Sequence, residues 1–353
     1  MKRNLSISVA AVLLLLGTAA TRAADAPPPA AALDRPALQS PKSPKMAILT
    51  VARAGKRMLA AGERGIIVYS DDNGRSWKQA KTPTSASLTA MRFATEQIGW
   101  AVGHMGIVLH TEDGGLSWVK QLDGLQAAQL ALEAARKSGD ARAIADAERL
   151  VADGADKPFF DLCLIDDHTL YIVGAYNLVF RSDSGGQQWT SWSGRVANPK
   201  ALHLYSIRAV GESLFIAGEQ GMLLRSDDRG QHFATVESPY KGSWFGLVAG
   251  GGNELLAYGL RGNAFRSPDL GRTWQPVNTG TPVSISAGTR LTDGRLVLVS
   301  QAGEILLSSD AGASFKHLPE KTAGLPFAAV AQGPDGLVLG SLRGVVSLPL
   351  PPQ

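Results

Sequence analysis

The chain has 353 residues, 44% hydrophobic and 19% charged, with 35 basic against 31 acidic side chains. At that length a large core can stabilise the fold without cross-links, and the single cysteine, Cys163, has no partner for an internal disulfide. Setting aside residues 1–23, which hold Lys2, Arg3 and Arg22, leaves a net charge near +1, a surplus too small and too dispersed to point to nucleic acid.

Met1-Lys2-Arg3, the apolar run Val9–Leu16 and the small, polar stretch Gly17–Ala23 form the pattern of a secretory signal peptide. Its apolar core is too short to span a bilayer. Cleavage is expected near Ala23, and with no cysteine beside that position the mature chain is expected to be a soluble, unlipidated, periplasmic protein. Residues 24–45 carry Pro27-Pro28-Pro29, Pro36, Pro41 and Pro44 and read as an extended linker.

From Met46 onward the sequence repeats. A turn of the form Ser/Thr-x-Asp-x-Gly-x-x-Trp/Phe recurs, with aspartates at Asp72, Asp113, Asp228, Asp269 and Asp310, and with Ser184 where a sixth belongs. Its closing aromatics, Trp77, Trp118, Trp189, Phe233, Trp274 and Phe315, are 41, 71, 44, 41 and 41 residues apart. A Gly-x-x-Gly turn or a variant of it precedes each of the six boxes, at Gly62, Gly103, Gly174, Gly218, Gly259 and Ser300, and a seventh begins at Ser341. Short β-rich runs alternate with these turns, so the expectation is an all-β, seven-bladed β-propeller of four-stranded antiparallel blades over residues 46–353. The boxes read as structural, the short carboxylate accepting N–H groups of its own turn.

The long spacing marks an insertion at about 123–156, where Leu125, Ala128, Leu132 and Ala135 share one helical face and Ile144, Ala147, Leu150 and Val151 another. That predicts a helical hairpin between blades 2 and 3. Cys163, in an apolar run, reads as a buried thiol. The seventh repeat ends without a box, so its fourth strand is expected from the N-terminal segment, around Ala32–Gln39.

In a four-stranded meander the box turns lie at one end and the Gly-x-x-Gly turns at the other. The residue before the second glycine is Arg64, Met105, Tyr176, Gln220, Arg261, Ala302 and Arg343 in turn. Arg64, Arg261 and Arg343, with Tyr176 and Gln220, are therefore the candidate partner-binding residues. Leu88, Phe160, Tyr205, Trp244 and Phe327, opening the innermost strands, would add an apolar lining, of which Phe160, Tyr205 and Trp244 complete the candidate set. His104 reads as a surface residue. No catalytic residue, cofactor or metal is expected, since each box offers one carboxylate where calcium takes six or more oxygens.

The run Ala61-Gly62-Glu63-Arg64-Gly65, leading to Ser70-Asp71-Asp72-Asn73-Gly74-Arg75-Ser76-Trp77, resembles the repeat of the photosystem II stability and assembly factor family, and the likeness extends over about Met46–Leu348. The resemblance implies an exported assembly chaperone for a membrane protein, using an arginine-rich face on which Arg64, Arg261 and Arg343 hold comparable positions. Members in non-photosynthetic bacteria accompany exporters of the resistance-nodulation-division type, which implies a periplasmic accessory factor for such a membrane complex; it is expected to be monomeric and to dock by the face opposite the boxes. The helical hairpin departs from the family's basic pattern. Sialidase-like glycoside hydrolases also carry Asp boxes; a Phe/Tyr-Arg-Ile-Pro segment is absent, and Glu63, Glu219 and Glu304 are the acids on the proposed face, expected as exposed turn residues. A carbohydrate-binding lectin is a third reading, resting on Trp244 and Tyr205.

Overall fold

The computed structural model describes residues 31–319, 326–333 and 335–351. The expected signal peptide, 1–23, and the first residues of the linker lie outside the described residues. Seven antiparallel sheets follow one another in chain order, six of four strands and the last of three. The first blade shows the pattern: Ile48–Ala54 innermost, then Arg57–Gly62, Ile67–Ser70 and the short outer strand Lys78–Gln79. The innermost strands of the others are Leu88–Phe93, Phe159–Leu164, Leu204–Val210, Trp244–Gly251, Ile285–Arg290 and Phe327–Gln332. Each packs beside the next, and the seventh packs beside the first, closing the ring.

Second strands such as Gly99–Gly103, Leu170–Gly174 and Leu296–Ser300 are buried at every residue. They lie between neighbouring blades on both faces, which is why they read as continuous apolar runs rather than alternating ones. The core is accordingly a set of interblade layers, such as that joining Leu59, Leu88, Leu109 and Trp118.

The boxes build one turn six times. In the first blade the Gly74 and Asp72 amides point to Ser70 Oγ, which donates to Asp72 Oδ1 at 2.8 Å, and the same oxygen accepts from Ser76 N at 2.8 Å. Gly74 takes φ 82°, and the Trp77 indole N–H donates to its carbonyl at 3.2 Å. Asp113, Asp228, Asp269 and Asp310 make the same bonds. In the third blade Ser184 Oγ accepts the Gln188 amide in the carboxylate's place.

These bonds hold the carboxylates ionised. The Ser76 hydroxyl and amide, then Ser70, bring Asp72 down to about 2; the Thr273 hydroxyl does the same for Asp269. At Asp310 partial burial opposes the shift, but bonds from Ser314 and Ser308 still bring it to about 2, and Asp113 and Asp228 are lowered too. A folded pKa below the unfolded one contributes stability that is complete above the unfolded value and disappears as the pH falls through the folded value. The thermal midpoint should therefore change little from pH 7 to 5 and fall steeply between about pH 4 and pH 2. A variant with all five aspartates replaced by asparagine should start lower and show a much flatter acid limb in thermal melts.

The hairpin comprises α1, Gly124–Ser138, and α2, Ala141–Asp153. Asp123 caps α1, accepting from Leu125 N and Gln126 N while the Gln126 side chain accepts from Asp123 N. Leu132, Ala135 and Ala147 are buried between the helices and Ala128 is buried as well, whereas Leu125, expected on that face, is exposed. α1 lies along Thr190–Ser191, the outer strand of the third blade, and Ala127 enters that blade's core.

The seventh sheet has three strands, Phe327–Gln332, Gly336–Ser341 and Gly344–Pro349. Ala32–Gln39, expected as its fourth strand, instead runs along the outer side of the first blade. There Leu33 and Ala37 are buried, Ser85 N donates to Ala32 O at 2.8 Å, and Ala37 N donates to Thr82 O at 3.2 Å. Leu33 gains a seat in the core shared by blades 1 and 2, while Pro349, which lacks an N–H, blunts the seventh sheet's outer edge. The turn Ser43–Lys45 then passes against Gly344 at the seam between the last blade and the first.

Candidate functional site

The meander puts all seven second-to-third-strand turns on one face, opposite the boxes. Arg64, Met105, Tyr176, Gln220 and Arg261 occupy the left-handed region, with φ between 52° and 59°. Thr84 O lies 2.1 Å from where a Cβ on Gly65 would stand, so the following glycine is obligatory, at φ 70°. At the tip itself glycine would also be the low-energy choice, since an L side chain there costs about 1–2 kcal/mol. The backbone thus gives no reason for arginine, tyrosine or glutamine at these tips, all of which project into solvent.

Arg343, at the seventh tip, is exposed as well, with its N–H donating to Ser341 Oγ. Among the described residues none of Arg64, Arg261 and Arg343 forms a salt bridge. Ala302 completes the ring of tips.

A second feature of this face comes from a β-bulge near the start of the innermost strands: Leu88 faces Gly103 but Ala90 faces Val102, leaving Thr89 unpaired. The equivalent residues are Leu49, Phe160, Tyr205, Phe245, Ser286 and Ala328, all half-buried around the mouth of the central channel. The preceding residues, among them Leu88, Trp244 and Phe327, point between blades and are buried. Trp244 is 0% exposed, its indole N–H donating to Ser238 Oγ at 3.2 Å. It belongs to the core between blades 4 and 5 and not to a surface lining; Phe245 takes the place expected for it.

Phe160, Tyr205 and Phe245 form a continuous aromatic arc, with ring centroids 5.2 and 5.8 Å apart. His203 extends it to Tyr176, which is 57% exposed and meets the imidazole edge-on at 4.5 Å. His203 Nδ1 accepts the Tyr176 amide, and the Lys157 ammonium at the end of the hairpin lies 5.4 Å from the Tyr176 ring centre. Partial burial, then the neighbouring Glu219 charge, push Tyr205 up to about 12, so its hydroxyl is a donor, directed at Glu219 Oε1. The turn acids are half-buried and engaged: Glu63 accepts from Ala47 N, Glu219 from His203 N, and Glu304 from Ser300 Oγ.

Below the mouth, three blades meet on one carboxylate. Asp161, 4% exposed, accepts from Ser206 Oγ and Ile207 N at 3.1 Å, from Arg92 Nη2 at 3.3 Å and from Arg208 Nη1. Burial and the charge of Arg208 lower the Arg92 pKa, whereas at Arg208 burial is outweighed by Asp161 together with the neighbouring Tyr258 and Cys163, and the pKa is raised. Burial raises Tyr258, beside this cluster, to about 12. One signal for it lies in the sequence, charges within otherwise apolar strands, but nothing there shows that they meet. The channel volume here is about 150 Å³. Cys163, close by, is buried and unpaired, its thiol pushed up to about 11 chiefly by burial.

Asp166, Asp167 and His168 form an exposed cluster on the box-side turn of the third blade. Asp166 already accepts from His168 N and Thr169 N, and Asp167 contacts the His168 ring, leaving too few free oxygens for a calcium site. Among the described residues no helix is long and apolar enough to cross a membrane.

The sequence is similar to that of the photosystem II assembly lipoprotein Ycf48 of Synechococcus sp. (strain CC9902), 23% identical over 186 residues, or 52% of this chain and 56% of that protein. The chain thus spans about half the length of this curated relative. Among solved structures, YCF48 from Cyanidioschyzon merolae superposes with a TM-score of 0.64 at 12% identity over 87% of this chain and 97% of its own. YCF48 bound to a D1 peptide gives 0.63 at 15%, covering 87% and 94%, and the WD40 propeller domain of Doa1 gives 0.61 at 10%, covering 89% and 94%; these likenesses show the propeller fold. The family described as photosynthesis system II assembly factor YCF48 matches residues 148–336, more than half of the sequence, and the chain belongs to that family.

Proposed function

We propose that this protein is a non-catalytic periplasmic accessory factor that docks, through the face opposite the Asp boxes, on a membrane protein and assists assembly or operation of its complex. A resistance-nodulation-division exporter is the partner class this reading favours. The observation that carries it is the set of strained tips: exposed arginine, tyrosine and glutamine stand where the backbone would prefer glycine, and large side chains held at a cost to stability are most simply explained by contact with something else. The aromatic arc beside them supplies the apolar centre, and the arginines the charged rim, of a protein interface. That a YCF48 has been solved with a peptide of D1 supports peptide docking on such a propeller.

The test is cross-linking in cells followed by identification of what co-purifies. A membrane protein should be recovered with the wild-type chain, and Arg64→Glu combined with Arg343→Glu should lower recovery at least about tenfold, charge reversal at a rim acting chiefly on association. The thermal midpoint should barely move, because both side chains are exposed and unpaired. Full recovery of the partner by the double variant would refute the arginine assignment.

A further inference from the structure

The segment Ala31–Ser40 fills a groove on the rim of the first blade, and the fifth blade carries the same groove open. Three hydrogen bonds of the loop correspond. Thr82 Oγ1 donates to Gly65 O at 2.8 Å, and Thr279 Oγ1 to Gly262 O at 2.7 Å. Ala86 N donates to Thr84 Oγ1, and Val283 N to Thr281 Oγ1, both at 3.1 Å. Ser87 Oγ accepts the Arg64 amide, and Ser284 Oγ the Arg261 amide.

In the first blade the outward-facing groups of this loop are consumed by the chain's own segment. Thr84 Oγ1 donates to Ala32 O at 2.8 Å, Thr82 O accepts from Ala37 N, Ala80 O accepts from the Gln39 side chain, and Asp34 pairs with Lys120. Leu33 and Ala37 are the buried anchors. At the third blade the hairpin covers the outer strand in a comparable way. Along the fifth blade, between Gly262 and Pro282, a groove of about 370 Å³ remains, within the usual size of a ligand site (~300–1,000 Å³).

We propose that this fifth-blade groove binds an extended peptide of the same chemistry as Ala31–Ser40: an aliphatic anchor, an acidic residue directly after it, and a small residue three positions further on, supplied by a partner protein. The acidic residue would face His317, which stands where Lys120 stands in the first groove. His317 is also the part that must move. Its Nε2 donates to Thr279 O at 2.9 Å, taking the carbonyl whose counterpart, Thr82 O, receives Ala37 N. Pro282, in place of Ser85, removes one main-chain donor. The assignment is independent of the arginine face, and either can fail alone.

The probe is the decapeptide AALDRPALQS, the sequence of residues 31–40, fluorescently labelled and titrated into the full-length protein by polarisation. Saturable binding is expected. Asn278→Trp, which fills the groove from an exposed position, should weaken it at least about tenfold, and His317→Lys, which frees the carbonyl and keeps a cation opposite the acidic residue as at Lys120, should tighten it about threefold or more. A photo-reactive residue in place of the peptide's leucine should label residues 262–282. Labelling of residues 79–85 instead would mean exchange with the chain's own segment and would overturn the proposal. So would absence of saturable binding, or indifference to both substitutions.

Discussion

Replacing Asp161 with alanine should lower unfolding stability by about 3 kcal/mol, read as a fall in the urea midpoint, because it removes the one carboxylate shared by two guanidinium groups at the centre of the ring. Arg92 in the second blade and Arg208 in the fourth both point to it, and Ser206 Oγ and Ile207 N complete its shell. The arginines retain 34% and 24% side-chain exposure toward the channel, so water moderates the loss and places it at the lower end of the range for broken buried pairs (about 3–5 kcal/mol). Asp161→Asn, which keeps an acceptor for the Ile207 amide but loses the charge, should cost about half as much. Arg92→Met in the alanine background should recover part of the loss, since the surplus cation would then be gone; non-additivity in that cycle is the signature of the network. A loss below about 1 kcal/mol for Asp161→Ala would show that channel water alone solvates the guanidiniums and that the carboxylate does not hold the three blades together.

That network also shows where sequence legibility ends. The repeat was legible because its turns are chemically demanding: a residue such as Gly65, with a carbonyl against its Cβ position, or Asp72, with three donors around it, leaves little choice and therefore recurs. The helical hairpin was legible from its period. Asp161, Arg92 and Arg208 belong to different repeats and fit no motif; only ring closure brings them together. The N-terminal segment had no periodicity to read, and its placement depends on which edge offers seats for Leu33 and Ala37. The aromatic lining was half legible. Phe160 and Tyr205 reach the channel mouth, but Trp244 does not, because the bulge at the start of each strand shifts the inward-facing residue by one position, and a one-residue slip turns a side chain to the other side of the sheet.

The fifth blade gives that slip a measurable consequence in two adjacent aromatics. Trp244→Ala should destabilise the protein by about 3–5 kcal/mol, the range for deleting a large buried ring. The indole has no exposure, stands 5.1 Å from Tyr240 and 5.7 Å from Phe265 by ring centres, and gives its N–H to Ser238; its loss opens a cavity between two blades. Phe245→Ala, one residue on, removes a half-buried ring at the channel mouth and should cost less than about 1.5 kcal/mol, because the vacated space opens to water instead of forming a closed void. If the turn face docks a partner, the effects on capture reverse: Phe245→Ala should reduce recovery of the cross-linked partner while the fold stays intact. Trp244→Ala should reduce it only in proportion to the protein lost to unfolding. Equal stability losses for the two variants, measured by chemical denaturation, would mean that the bulge does not set the register described here, and the aromatic arc from Tyr176 to Phe245 would have to be redrawn.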